Sequence, residues 1–136
     1  MKWAALTLLW VGAAAAAEPS REWPFKCNDG GTQQELEACS RDGYAEADRK
    51  LNETYRALLR KERGNAVYLA KLREAQKAWI VFRDAEIAAN FACEENDVQY
   101  CFGSAYGMAL FAFKKKLTDE RQARLQRLLE KGRETT

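Results

Sequence analysis

Histidine is absent from the chain, proline occurs twice and methionine twice. Without histidine, acid-base or nucleophilic schemes built on imidazole are excluded, as is any metal site that needs a nitrogen ligand. The four cysteines hold no C-x-x-C spacing, so a zinc site on sulfur alone has no support, and the acids do not follow the D-x-[DN]-x-[DN]-G calcium pattern. No Gly-rich phosphate loop and no serine elbow is present. Paired carboxylates for glycoside hydrolysis remain formally open, with nothing to mark any two of the twenty acids as such a pair. These absences point away from an enzyme and from any cofactor or metal.

Strand signals are scarce too. Apolar residues recur at three and four, which predicts an all-α protein. One long apolar run exists, from Trp3 to Ala17, after Met1-Lys2 and before Glu18-Pro19. It is shorter than the ~20 residues of a spanning helix and ends in small residues. Residues 1–17 therefore read as a secretory signal peptide, with cleavage expected near Ala17. Cys27 lies ten residues beyond that point, so no thiol is placed to accept a lipid. The expectation is a soluble periplasmic or secreted domain with no transmembrane segment after cleavage.

Charge is nearly balanced, with 22 bases and 20 acids, which gives no strong pull toward nucleic acid. Its distribution is uneven. Residues 18–55 hold nine acids and five bases, whereas residues 114–136 hold eight bases and four acids. The basic end, Lys114-Lys-Lys116 with Arg121, Arg124 and Arg127, reads first as a solvated helix face near a C-terminus, where positive charge complements the helix dipole. Contact with lipid head groups or anionic polymers is the less favoured reading.

The four cysteines of an exported chain read as two disulfides. Of the three connectivities that four cysteines allow, Cys27 with Cys39 and Cys93 with Cys101 are favoured, because each pair is short in sequence. Residues 18–31, with Pro19, Pro24 and Asn28-Asp-Gly-Gly31, read as an N-terminal loop, and residues 32–136 as one helical domain. Thr32-Gln-Gln-Glu35 has the form of a capping box opening a short helix that stops near Asp42-Gly43. A second helix is expected from about Tyr44 to Arg63, striped by Tyr44, Ala47, Leu51, Tyr55, Leu58 and Leu59. Gly64-Asn65 ends it, and a third runs from about Ala66 to Ala92. A fourth begins near Ser104, and Thr118-Asp-Glu120 looks like the cap of a last, basic helix. The predicted fold is a small antiparallel bundle of four to five helices stapled by two disulfides.

Two constellations stand out. Gln76, Trp79, Arg83 and Asp84 share a helix, and a hairpin of the second and third helices would set them opposite Asp48 and Asn52. That arrangement reads as a structural polar seam that fixes register. The second is Cys93-Glu-Glu-Asn-Asp-Val-Gln-Tyr-Cys101. Closed by a disulfide, it would present Glu94, Glu95, Asp97 and Tyr100 as a preorganised knob for a protein partner. Its bland alternative is a stapled connector.

Cys27, Thr32-x-x-Glu35, Cys39, Tyr44-x-x-Ala-Asp48, Leu51-Asn52-x-x-Tyr55, Leu72-x-x-Ala-Gln76-x-x-Trp79-Ile, Phe82-Arg-Asp84 and Leu117-Thr-x-x-Arg121-x-x-x-Leu125, in that order, resemble the LprI-like lysozyme inhibitors. The resemblance covers nearly all of the chain beyond the signal. It implies an exported α-helical domain that binds a protein partner, with lysozyme the first candidate. Members often pair a cysteine soon after the Arg-Asp with one just before the Leu-Thr, and here those places look like Ile87 and Phe113. Cys93 and Cys101 then look like a local replacement. The alternative function is structural: an envelope domain docking on a membrane protein, or on itself, through Phe111 and Phe113.

Overall fold

A computed structural model describes residues 23–95 and 97–134. The expected signal peptide lies outside the described residues. Four helices follow in order: α1 (Gln33–Lys61), α2 (Ala66–Asn90), the short α3 (Val98–Phe102) and α4 (Tyr106–Lys131), with a 3-10 turn at Gly103–Ala105 before the last. No strand occurs among the described residues. The protein is all-α, and three long helices do the work expected of four or five.

Helix α1 begins where the sequence pattern placed a start. The Thr32 hydroxyl accepts from the Glu35 amide, while the Glu35 carboxylate accepts from the Thr32 amide at 2.7 Å. Two end amides are thereby satisfied. The bond to the Thr32 backbone also holds the Glu35 carboxyl below its ordinary range. Cys27 is joined to Cys39, fastening the N-terminal segment to the second turn of α1.

The break expected at Asp42-Gly43 does not occur. A glycine in a helix costs roughly 1 kcal/mol relative to alanine, but Ala38 and Ala47 on either side of Gly43 are buried. The Lys115 side chain of α4 lies where a Gly43 Cβ would be in ordinary contact. Packing therefore outweighs the local signal. Thr118 fails as a helix start for the same reason. It is fully buried beside Leu117 in mid-α4, and its hydroxyl has no hydrogen-bond partner.

Tyr44, Ala47, Leu51, Thr54 and Leu58 alternate in steps of three and four along α1, the spacing of a coiled-coil seam. Their partner is α4. Close approaches run from Glu37 over Gly107, through Tyr44 against Phe111, to Lys61 Nζ donating to the Leu129 carbonyl at 2.6 Å. Residue numbers rise together on both helices, so α1 and α4 are parallel. Helix α2 runs the other way and closes the core with Leu69 and Leu72. Leu51, Leu58, Leu72 and Leu125 form the central cluster, with Tyr55, Tyr68, Trp79 and Leu128 packed around it.

A polar layer crosses the α1/α4 seam. The Gln122 amide donates to Thr54 Oγ1 at 3.1 Å, and Thr54 Oγ1 donates to Gln126 Oε1 at 3.4 Å. Such a layer is satisfied in one register only. Toward its other end the seam closes on Gly107: a Cβ there would overlap the Glu37 carboxylate. Glu37 is 13% exposed and receives both Nε and an Nη of Arg41. The Arg41 guanidinium in turn sits 4.0 Å from the Trp23 ring and 4.3 Å from the Phe111 ring. This clasp draws the N-terminal segment onto both helices, and a side chain at 107 would push the Glu37 carboxylate from its present place in it.

Candidate functional site

The loop between α2 and α4 is built from both ends. Helix α2 stops at Asn90 with Phe91 as its cap, and Asp97 caps α3 by accepting from the Gln99 amide at 2.9 Å. Gly103, at φ +63°, makes the turn from α3 toward α4 in a conformation that favours glycine. Cys93 is joined to Cys101 across the loop.

Beneath the loop lies an aromatic cluster. Phe91 packs edge to face against Phe102 at 5.4 Å, Tyr106 at 5.5 Å and Phe113 at 5.9 Å. Edge-to-face pairs of this kind contribute about 0.5–1.5 kcal/mol each beyond their buried area. The loop is thus held twice, by a covalent bond and by four rings. Phe113, the place that looked like a family cysteine, carries this contact through its ring. The sequence pattern had not revealed the cluster, although Phe91, Phe102, Tyr106 and Phe113 flank the two cysteines on both sides.

On top of that base, Tyr100 is 78% exposed, and Glu94, Glu95 and Asp97 are all exposed. None of the three acids forms an ion pair among the described residues. The acids of α1 differ. Glu37 engages Arg41, and Glu46 and Glu53 both engage Arg49, at 2.6 and 2.5 Å. The Arg49 hydrogen bonds push the Glu46 carboxyl down to about 2.

The six residues of the expected polar seam are distributed differently. Asn52 donates to Asp48 within α1, to its carboxylate and its carbonyl, both at 2.9 Å. Gln76 reaches α4: its Oε1 accepts from Arg121 Nε at 3.0 Å. Trp79 lies between two guanidiniums, Arg83 at 5.4 Å and Arg121 at 5.9 Å from its ring. Arg83 pairs with its neighbour Asp84 at 2.7 Å. Across the helices these groups still sense one another. Tyr44 is held above the ordinary tyrosine value first by burial; Arg83 opposes this, and Asp48 and Asp84 add to it.

Arg121, expected from the sequence on a solvated basic face, is not fully on the surface. It is half-buried, and burial lowers its pKa, assisted by the charge of Arg124. Beyond it, the outer part of α2 is bare. Ile80, Val81 and Phe82 are exposed, Val81 at 71%. Phe111 and Phe113, the expected docking pair, are partly covered by the rings around them. Ile80, Val81 and Phe82 of α2 are therefore freer than that pair, as are Trp23 and Phe25 in the N-terminal segment.

One grouping of potential metal donors occurs among the described residues, Cys27, Asp29 and Cys39, and its two sulfurs are joined to each other. No thiol is left free, and the sequence has no histidine. The protein is of the class of small, disulfide-stapled helical domains, with one loop closed by its own disulfide. Residues 26–125 match the family described as "Lysozyme inhibitor LprI", and the chain belongs to that family. A protein of Rhizobium meliloti (strain 1021), named only "Uncharacterized protein R02472", is 32% identical over 136 residues, spanning 92% of this chain and 91% of the relative. No solved structure matches. The family is one of inhibitors and not of catalysts, in keeping with the non-enzymatic reading. No helix among the described residues is long and apolar enough to cross a membrane, and two disulfides fit an oxidising compartment.

Proposed function

We propose that this protein works outside the cytoplasm, in the periplasm or secreted after cleavage near Ala17, by binding a protein. Lysozyme, or another peptidoglycan-cleaving enzyme, is the first candidate partner. The observation that carries the proposal is the buttressed loop, which offers Tyr100 and three unpaired acids on a base of disulfide and packed rings. A loop ordered before binding loses little entropy on binding. Many lysozymes are strongly basic, and unpaired acids on an inhibitor favour their approach. The acid-rich first third of the chain is the weaker alternative, since several of its carboxylates are already engaged by its own arginines. Tyr100 is the aromatic anchor, entering the substrate cleft with Glu94, Glu95 and Asp97 around it.

The test is lysis of a peptidoglycan suspension by a panel of basic and acidic lysozymes, with the oxidised chain added. Dose-dependent inhibition is expected. The combined change Glu94→Ala, Glu95→Ala and Tyr100→Ala should abolish it at unchanged helicity, and unaltered potency would remove the loop from the mechanism.

A second reading, an assembly domain of the envelope, is favoured by the exposed Ile80, Val81 and Phe82. A stable homodimer at low concentration, dispersed by Val81→Glu, would support it over the inhibitor reading.

A further inference from the structure

At the opposite end of the bundle from the stapled loop, the first turns of α2 lie beside the later turns of α4. They leave a cleft of about 420 Å³, within the size range of small-molecule sites. Its apolar lining includes Leu72, Ala75 and Leu128; its polar lining includes Arg121 and Arg124, one turn apart on α4. The Arg121 guanidinium is already fixed in place, its Nε bonded to Gln76 and its plane near the Trp79 ring. Its other N–H groups have no protein acceptor among the described residues, and neither arginine forms an ion pair. Lys115, by contrast, pairs with Asp119 on the same helix.

Two adjacent guanidiniums, one half-buried and neither neutralised among the described residues, are costly unless an anion joins them. Glu134, the one carboxylate in the lining, does not pair with them. Lys71 is engaged by Glu74, and Arg133 lies over the Tyr68 ring at 4.9 Å. A bare inorganic anion would leave the wall of Leu72, Ala75 and Leu128 unused. We propose that this cleft binds a small amphipathic anion, its carboxylate or phosphate head held by Arg121 and Arg124 and its hydrocarbon lying on Leu72, Ala75 and Leu128. This site is independent of the loop and of any lysozyme.

Calorimetric titration of the oxidised chain with decanoate, decyl phosphate, decanol and inorganic phosphate tests it. Decanoate and decyl phosphate, below their micellar concentrations, should each bind once per chain and perturb Trp79 fluorescence, a signal lost in Trp79→Phe. Decanol and inorganic phosphate should bind at least tenfold more weakly. Arg124→Gln, which leaves the Gln76 tie intact, should weaken decanoate at least fivefold at unchanged melting temperature, and Ala75→Glu should abolish binding. Equal affinity for inorganic phosphate would make the site one for a bare ion and overturn the proposal, as would equal affinity for decanol. Unchanged decanoate affinity in Arg124→Gln would overturn it too. Phosphatidylglycerol vesicles distinguish the source of the head group: capture by vesicles without binding of the free amphiphiles would replace the cleft by a membrane-binding surface.

Discussion

The α1/α4 pair and the outer half of α2 are made of similar residues put to opposite use. Along the pair, Leu51, Leu58, Leu117 and Leu125 vanish into a parallel seam, with Thr54 and two glutamines setting its register. Along outer α2, Ile80, Val81 and Phe82 face solvent, while the inner face of the same helix meets the bundle through Leu72, Gln76 and Trp79. Leu69 and Leu72 anchor one end in the core, and Phe91 anchors the other in the aromatic cluster. The contrast separates what holds the fold from what the fold presents. Stability resides in the α1/α4 seam together with the inward residues of α2, while the loop and the outer face of α2 are left to solvent.

The sharpest way to break this comparison is to substitute one apolar residue in each region. Leu125→Ala removes a fully buried side chain at the junction of three helices. It should cost about 2–5 kcal/mol in chemical denaturation followed by circular dichroism. Phe82→Ser should change stability by less than about 0.5 kcal/mol. Comparable losses would mean that outer α2 is part of the core.

Much of this division was legible beforehand. Thr32 and Glu35 announced the start of α1, Gly64-Asn65 announced the turn into α2, and the period of three and four placed Leu51, Leu58 and Leu72 inward. Those signals are local, or depend on one helix face alone. What could not be read depended on a second helix. Gly43 and Thr118 look like helix ends, and only packing of α1 on α4 carries the helices through them. Gln122 and Gln126 look like surface residues until Thr54 is set between them. Glu37 shows nothing of its role until Gly107 is brought beneath it. Of the site, the sequence named the loop and its exposed side chains but not the four rings below, because Phe91 and Phe113 are distant in the chain.

The staple sharpens the comparison from the other side. Replacing Cys93 and Cys101 together by serine opens a short loop, for which chain entropy gives about 2–3 kcal/mol. The aromatic cluster should retain part of the loop's order, so thermal unfolding is expected to remain cooperative at a lower midpoint. Loss of the entire helical signal would place the staple in the core of stability.

A smaller effect should appear in alkali. Tyr44 and Tyr68 are both held above the ordinary value of 10.0, in each case first by burial. A group whose folded pKa is raised contributes stability that is complete below its unfolded pKa and is lost as the pH rises through the folded one. Stability should therefore fall above about pH 10, and Tyr44→Phe with Tyr68→Phe should flatten that fall. An unchanged slope in the double variant would assign the alkaline loss to other groups.

The account rests most directly on where a partner touches. Amide hydrogen exchange of the oxidised chain, alone and with a saturating basic lysozyme, reads this along the whole sequence. The account predicts strong basal protection in α1 and α4, and new protection on binding at residues 93–101. Protection that appears instead along residues 78–85 of α2, or no change with any lysozyme, would contradict the claim that the stapled loop is the inhibitory surface.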